Sequence, residues 1–148
     1  LEEFHQKMAD GTLRHVGLTE SIHMIAAKLG WQLDKTEDNI TPIIASQDVT
    51  TEHLHIKAGM ALGVQQIGRG LCGEKELITL DFRAAIGEPK THDRIIIEGS
   101  PMIDSCVKNG VNGDVATCAI LINAIPVTIN ARSGLRTMAD IEPIACFA

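Results

Sequence analysis

Near its C-terminal end the chain reads GVNGDVATCAILINAIPVTINARSGL, a segment that fits a helix over residues 114–129 but leaves it no polar face. Ala116, Ala119, Ile120, Leu121, Ile122, Ala124, Ile125 and Val127 point all the way round at 3.6 residues per turn. Such a helix must lie centrally in a fold or be covered by a partner, because water on any side would meet apolar surface. Asp114 suits its N-cap, and Cys118 reads as core. Pro126 should kink it, since proline removes one backbone hydrogen bond and crowds the preceding turn. The most apolar part, ATCAILINAIPVTI, is too short to span a bilayer and is interrupted by Asn123 and Pro126, so no membrane partner is expected.

The rest of the chain suits a packed domain around that segment. At 148 residues, 45% of them hydrophobic, it can bury a substantial core as one domain. Its apolar supply is aliphatic, with three Phe, one Trp and no Tyr, which offers little for stacking bases or sugars. A formal charge of −6 and the absence of any basic run argue against a nucleic-acid partner. Cys72, Cys106, Cys118 and Cys146 are far apart and no secretory signal precedes them, so reduced thiols and a cytoplasmic location are expected. The first residue is Leu1 and not Met, as expected of a processed chain or of a domain from a longer protein.

Two periods run along the chain. LEEFHQKMA suits a short helix that Gly11 ends. GLTESIHMIAAKLGW then places Leu18, Ile22, Ile25, Ala26 and Leu29 on one helical face. Thr19 is the expected cap, and Gly30 the expected C-terminal stop. The period next changes to two. Leu54, Ile56, Ala58, Met60, Leu62 and Val64 alternate along one predicted strand, and Ile78, Leu80, Phe82, Ala84 and Ile86 along another. ITPIIAS and RIIIEG supply two more. The expected fold is α+β: a mainly antiparallel or mixed four-stranded sheet with helices packed on one face.

Between the two alternating runs, Gly68, Gly70 and Gly73 in QIGRGLCGEKELITLDF match G-x-G-x-x-G, the pattern of dinucleotide pyrophosphate sites. That chemistry needs a helix after the glycines, whose N-terminus meets the phosphates. Here an alternating strand follows, so the glycines read as a hairpin connection and no cofactor is expected on this chain.

RHVGLTES, ITPIIAS, IKAGMALGVQQ, IIIEGSPMI, GVNGDVATCAILINAIP and SGLRTMADI together resemble the C-terminal domain of the 2,4-diaminopentanoate dehydrogenase family, within the wider dihydrodipicolinate reductase group. The likeness runs over residues 13–140. It implies an NAD- or NADP-dependent oxidoreductase that moves hydride between nicotinamide and the C–N bond of a small amino or imino acid. It also implies an N-terminal dinucleotide-binding domain absent from this chain. Residues 1–148 would form a single C-terminal substrate-binding and oligomerisation domain, inactive alone, in a homodimer or tetramer. One departure limits the transfer of roles: the reductases proper carry paired histidines followed by a lysine and an S-G-T helix start, where this chain has His15 and VGLTES.

His15 precedes a helix whose free N–H groups could hold a substrate carboxylate, and its imidazole could donate a hydrogen bond or shuttle a proton. Its plainer reading is an exposed loop histidine. Glu20 and Ser21 could meet a substrate ammonium and carboxylate; the plainer role of Glu20 is helix-start electrostatics, about 0.3–1 kcal/mol. Asp114 could contact a substrate amine or the absent domain. Thr117 and Asn123, polar in an apolar helix, need partners in a pocket, an interface or the core. His53 and His55, two apart, would share one strand face and could begin a metal site, but no third ligand stands at a telling spacing and Lys57 is adverse. A solvated face or subunit interface is preferred there, and no metal is expected. The alternative to the oxidoreductase reading is a stand-alone, self-associating ligand-binding or interaction module without catalysis.

Overall fold

Leu18, Ile22 and Ala26 recur every four residues, and this spacing puts them on the one face of their helix that is buried. In the computed structural model, which describes residues 2–13 and 15–146, the chain divides into two compact units, residues 1–88 and 89–148. The first opens with α1 (Glu2–Ala9) and α2 (Gly17–Leu29). Gly30 ends α2 in the left-handed conformation at φ 71°, returning its N–H to the last turn, as its sequence position suggested. Thr19 does not cap this helix. The N-cap position belongs to Val16, which has no oxygen to offer, so α2 starts without a side-chain cap. Leu29, expected on the inner face, is exposed.

The sheet of this unit has three antiparallel strands in the order β1-β4-β5: β1 (Lys35–Ile44), β4 (Ala61–Cys72) and β5 (Lys75–Ala85). Between β1 and β4 lies a small ribbon of β2 (Val49–Thr50) and β3 (His55–Ile56). The alternation from Leu54 to Val64 is therefore not one strand. A turn through Gly59, with φ at 84°, ends the ribbon before β4 begins. Period two alone cannot reveal such a break, because residues on both sides of the turn keep alternating.

Directly opposed residues share a sheet face, so the register puts Asp38, Gly68 and Leu80 in one row and Ile40, Gln66 and Phe82 in the next. α2 packs on this face. Ile22, Ala26 and Ile78 form the buried centre, with Ile25, Leu33, Leu77 and Leu80 against it. Gly68 and Gly70 let the helix approach: a Cβ at Gly68 would stand 2.8 Å from Ile22 Cδ1, and one at Gly70 2.8 Å from Ile22 Cγ2. Only Gly73 belongs to the connection. It is the first of two turn residues, at φ 60°, the place a type II′ hairpin gives to glycine.

The second unit holds a ribbon of β6 (His92–Ile97) and β7 (Ile103–Lys108), then α3 (Gly113–Asn130). The α+β class and the antiparallel pairing agree with expectation. The strands are shared among a three-stranded sheet and two ribbons, however, where one four-stranded sheet was expected. Arg94 grips Asp104 with two hydrogen bonds, Nε to Oδ1 at 2.8 Å and Nη2 to Oδ2 at 2.6 Å. The hydrogen bond from Arg94 holds the Asp104 carboxyl below its ordinary value. A carboxyl depressed in the folded state adds stability above its ordinary range and loses it as pH falls through the folded value. Acidification should therefore lower the amide protection factors of the β6–β7 ribbon, exchange being taken relative to the intrinsic rate at each pH, and Asp104→Asn should remove that part of the acid response.

α3 differs from expectation in three respects. Its N-cap is Asn112, whose Oδ1 accepts the Val115 N–H at 3.1 Å; Asp114 is the second residue of the helix, in its first turn beside the positive end. None of its residues is buried, so Cys118 is exposed and not core. It runs 18 residues through Pro126, and by length and composition alone it could cross a membrane, where the sequence suggested a stretch too short. Asn112→Ala should cost about 1 kcal/mol. Asp114→Asn should cost about 0.3–1 kcal/mol, since only dipole attraction is lost. Urea unfolding of the two variants would separate cap from dipole.

Candidate functional site

His15 lies directly before the uncapped start of α2, and its backbone is held by a side chain from the sheet. Gln66, on the covered face of β4, accepts the His15 N–H through Oε1 at 2.7 Å. Its Nε2 donates to the His15 carbonyl at 3.3 Å and to Asp38 Oδ1 at 2.8 Å. The same carbonyl accepts the Leu18 N–H at 3.2 Å, closing the tight turn that launches the helix. These partners determine the amide's orientation: flipped, its oxygen would face a carboxylate and a carbonyl.

The His15 ring remains exposed. It lies against Phe82, with ring centroids 5.0 Å apart, and its Cε1 stands 3.4 Å from where a Cβ at Gly17 would be. Among the described residues neither ring nitrogen has a hydrogen-bond partner. A fixed backbone and an unengaged imidazole over an apolar ring make a group that can donate to, accept from or exchange a proton with a small polar molecule.

On the helix that His15 precedes, Glu20 ends the first turn and is exposed, and Ser21 begins the second and is half-buried. Asp114, Thr117 and Asn123 belong to the second unit, on α3. Asp114 and Thr117 are exposed and Asn123 half-buried. His53 and His55 do not share a strand face. His53 lies in the bend before β3, while His55 Nδ1 meets Thr50 Oγ1 at 2.8 Å within the ribbon. Among the described residues no three His, Cys, Asp or Glu side chains cluster to hold a metal.

Three participants escaped the sequence reading: Gln66, Asp38 and Phe82. Gln66 did leave a signal. It follows Leu62 and Val64 on the alternating face of β4, and a polar residue in an apolar register invites the question of what it bonds. Asp38 left none, because its strand shows no apolar alternation at that end.

The glycine fingerprint offers no room for a nucleotide. Gly68 and Gly70 are buried in mid-strand beneath Ile22 and Leu33, and no helix N-terminus follows Gly73. After α3, Arg136 donates to the carbonyls of Arg132 and Ser133, both at 3.0 Å. Asp140 accepts the Thr137 N–H at 2.8 Å and its hydroxyl at 2.7 Å. The SGLRTMADI motif thus builds a local turn, beside a cleft of about 750 Å³ whose lining includes Pro126, Arg132, Arg136 and Glu142.

Comparison with known proteins bears on the whole chain. Residues 1–148 match the family described as the 2,4-diaminopentanoate dehydrogenase C-terminal domain. The chain is 37% identical over 148 residues to a 2,4-diaminopentanoate dehydrogenase of Acetoanaerobium sticklandii, an alignment covering 95% of this chain and 42% of that protein. This chain therefore spans less than half the length of that relative. Its fold is similar to that of an amine dehydrogenase from Mycobacterium smegmatis, with a TM-score of 0.68 and 21% identity, over 83% of this chain and 37% of the other.

Proposed function

The chain belongs to the 2,4-diaminopentanoate dehydrogenase C-terminal domain family, and from that premise we propose that it is the substrate-binding and oligomerisation domain of a cytoplasmic NAD- or NADP-dependent oxidoreductase acting on the C–N bond of a small amino acid. The nucleotide belongs, on this reading, to a domain outside residues 1–148. His15 contacts the substrate, donating a hydrogen bond or moving a proton. Glu20 and Ser21 contribute an anion and a hydroxyl on the next turn. Asp114, Thr117 and Asn123 contact the substrate amine or the adjoining domain, and the apolar surface of α3 lies against another subunit in a dimer or tetramer.

The observation that supports this most is the His15 arrangement: a backbone held from the sheet, with the imidazole left unengaged. An exposed imidazole with no hydrogen-bond partner among the described residues is open to a small polar ligand.

The test is His15→Ala and His15→Asn in the full-length protein, assayed for 2,4-diaminopentanoate oxidation by the appearance of NADH or NADPH. A loss of about a hundredfold or more in kcat/KM is expected, as for removal of a general acid–base group. Unchanged kcat/KM would remove His15 from the chemistry. Separately, NADH added to residues 1–148 alone should show no saturable binding; tight binding would overturn the division of labour between domains. Sedimentation of the intact protein should show a dimer or larger, and a monomer at micromolar concentration would count against the interface role of α3.

A further inference from the structure

Gln66 is the one polar side chain among the described residues that is essentially inaccessible, at 1% exposure. A buried amide is costly unless all its groups are bonded, and an apolar residue in its place would need no partners at all. The neighbours on its face of β4 are Val64 and Gly68, so the register itself calls for an apolar or small residue. What the amide gains is specific: two of its three hydrogen bonds go to the N–H and the carbonyl of one residue, His15. The third, to Asp38 on the adjacent strand, anchors the amide on the sheet. A backbone pinned at both its donor and its acceptor leaves its side chain little freedom beyond rotation about its own bonds. Phe82 then limits that rotation on one side, with ring centroids 5.0 Å apart, and the missing Cβ of Gly17 leaves the ring its place on the other.

We propose that Gln66 is a positioning residue, which acts through the His15 backbone to hold the imidazole over Phe82 at the start of α2 for contact with substrate. The proposal rests on the His15 reading above. It goes beyond that reading by assigning a role to a residue that touches no substrate. Side-chain length is part of the device. Asparagine is shorter by one carbon–carbon bond, about 1.5 Å, and cannot span from β4 to both His15 and Asp38. Glutamate has the reach but lacks the two N–H donors.

The test is a double-mutant cycle in the full-length protein, with 2,4-diaminopentanoate as the substrate probe. Gln66→Met keeps the side-chain length and loses the amide. It should lower kcat/KM by up to about a hundredfold, the scale of a misplacement near 1 Å. In a His15→Ala background the same change should have almost no further effect, because the residue acts only through His15. An equal fall in both backgrounds would overturn the proposal, since damage to the fold at large does not depend on His15.

The second readout is the His15 Cε1–Hε1 signal in protein labelled at histidine. Gln66→Met should move it away from its ring-current-shifted position over Phe82, and an unmoved signal would overturn the proposal. If His15→Ala proves silent in the assay while the signal still moves in Gln66→Met, the clamp stands and the catalytic reading of His15 falls. Should Gln66→Met not fold, Gln66→Asn serves both readouts, with the same outcomes deciding.

Discussion

Gln66→Glu should destabilise the first unit by about 3–5 kcal/mol at neutral pH, the scale of an uncompensated buried charge. The added carboxylate would lie where an amide now donates to Asp38 Oδ1 at 2.8 Å and to the His15 carbonyl at 3.3 Å. Two acceptors would face a third with no hydrogen between them, at a position only 1% exposed. The substitution is conservative in volume, so packing cannot account for the loss. Gln66→Met is the control. It introduces no charge and leaves the His15 N–H without its partner, at about 1–3 kcal/mol. Urea midpoints should therefore rank wild type, Gln66→Met, Gln66→Glu in falling order. If the glutamate variant matched wild type, the amide network would not be carrying the loop before α2. Domains are commonly stable by only about 5–15 kcal/mol, so the glutamate variant should also express poorly.

Gly63→Ala should cost about 3 kcal/mol, at the upper end of the usual range for overpacking. A Cβ at this position would fall inside contact distance of the Ala84 carbonyl oxygen and 2.5 Å from the Ala85 Cα, both backbone atoms of the paired strand. Backbone in a ladder can yield only by separating the strands. Gly68→Ala is the instructive comparison, because its new Cβ would meet Ile22 Cδ1 at 2.8 Å and Leu18 Cδ2 at 3.1 Å. Those are the far ends of flexible side chains, which can rotate, so about 1–2 kcal/mol is expected there. Thermal unfolding of the two variants would decide between them. Equal shifts would mean that β4 and β5 can separate at Gly63 without loss.

How much of the candidate site was legible depends on the range over which each signal acts. His15, Glu20 and Ser21 stood out because they lie at the start of a helix that its own periodicity announces. Gln66 was visible only as a polar residue in an apolar register, which says that it needs partners but not which ones. Its partners, His15 and Asp38, are 51 and 28 residues away in sequence. No local pattern encodes such a meeting. It is created when β1, β4 and α2 come together.

The same reasoning divides the fold. Sequence by itself determined the elements whose causes are local: α2 and its stop at Gly30, a glycine hairpin connection ahead of β5, the long apolar helix near the C-terminus, and the alternation that opens β4 and makes β5 a strand. Each follows from side-chain period or from a backbone angle that glycine adopts freely. The resemblance carried by NGDVAT, NAIP and GLRTM also lay in the sequence, and it named the family. Tertiary structure alone decided the break at Gly59, the division into a three-stranded sheet and two ribbons, and the capping of α3 by Asn112 and not Asp114. It also decided what the glycines of the apparent nucleotide fingerprint are for. Gly68 and Gly70 match a pyrophosphate pattern by spacing, but they admit a helix, because the atoms that approach them are those of Ile22, Leu18 and Leu33. Spacing records which residues are small, and only the folded chain determines what fills the space they leave.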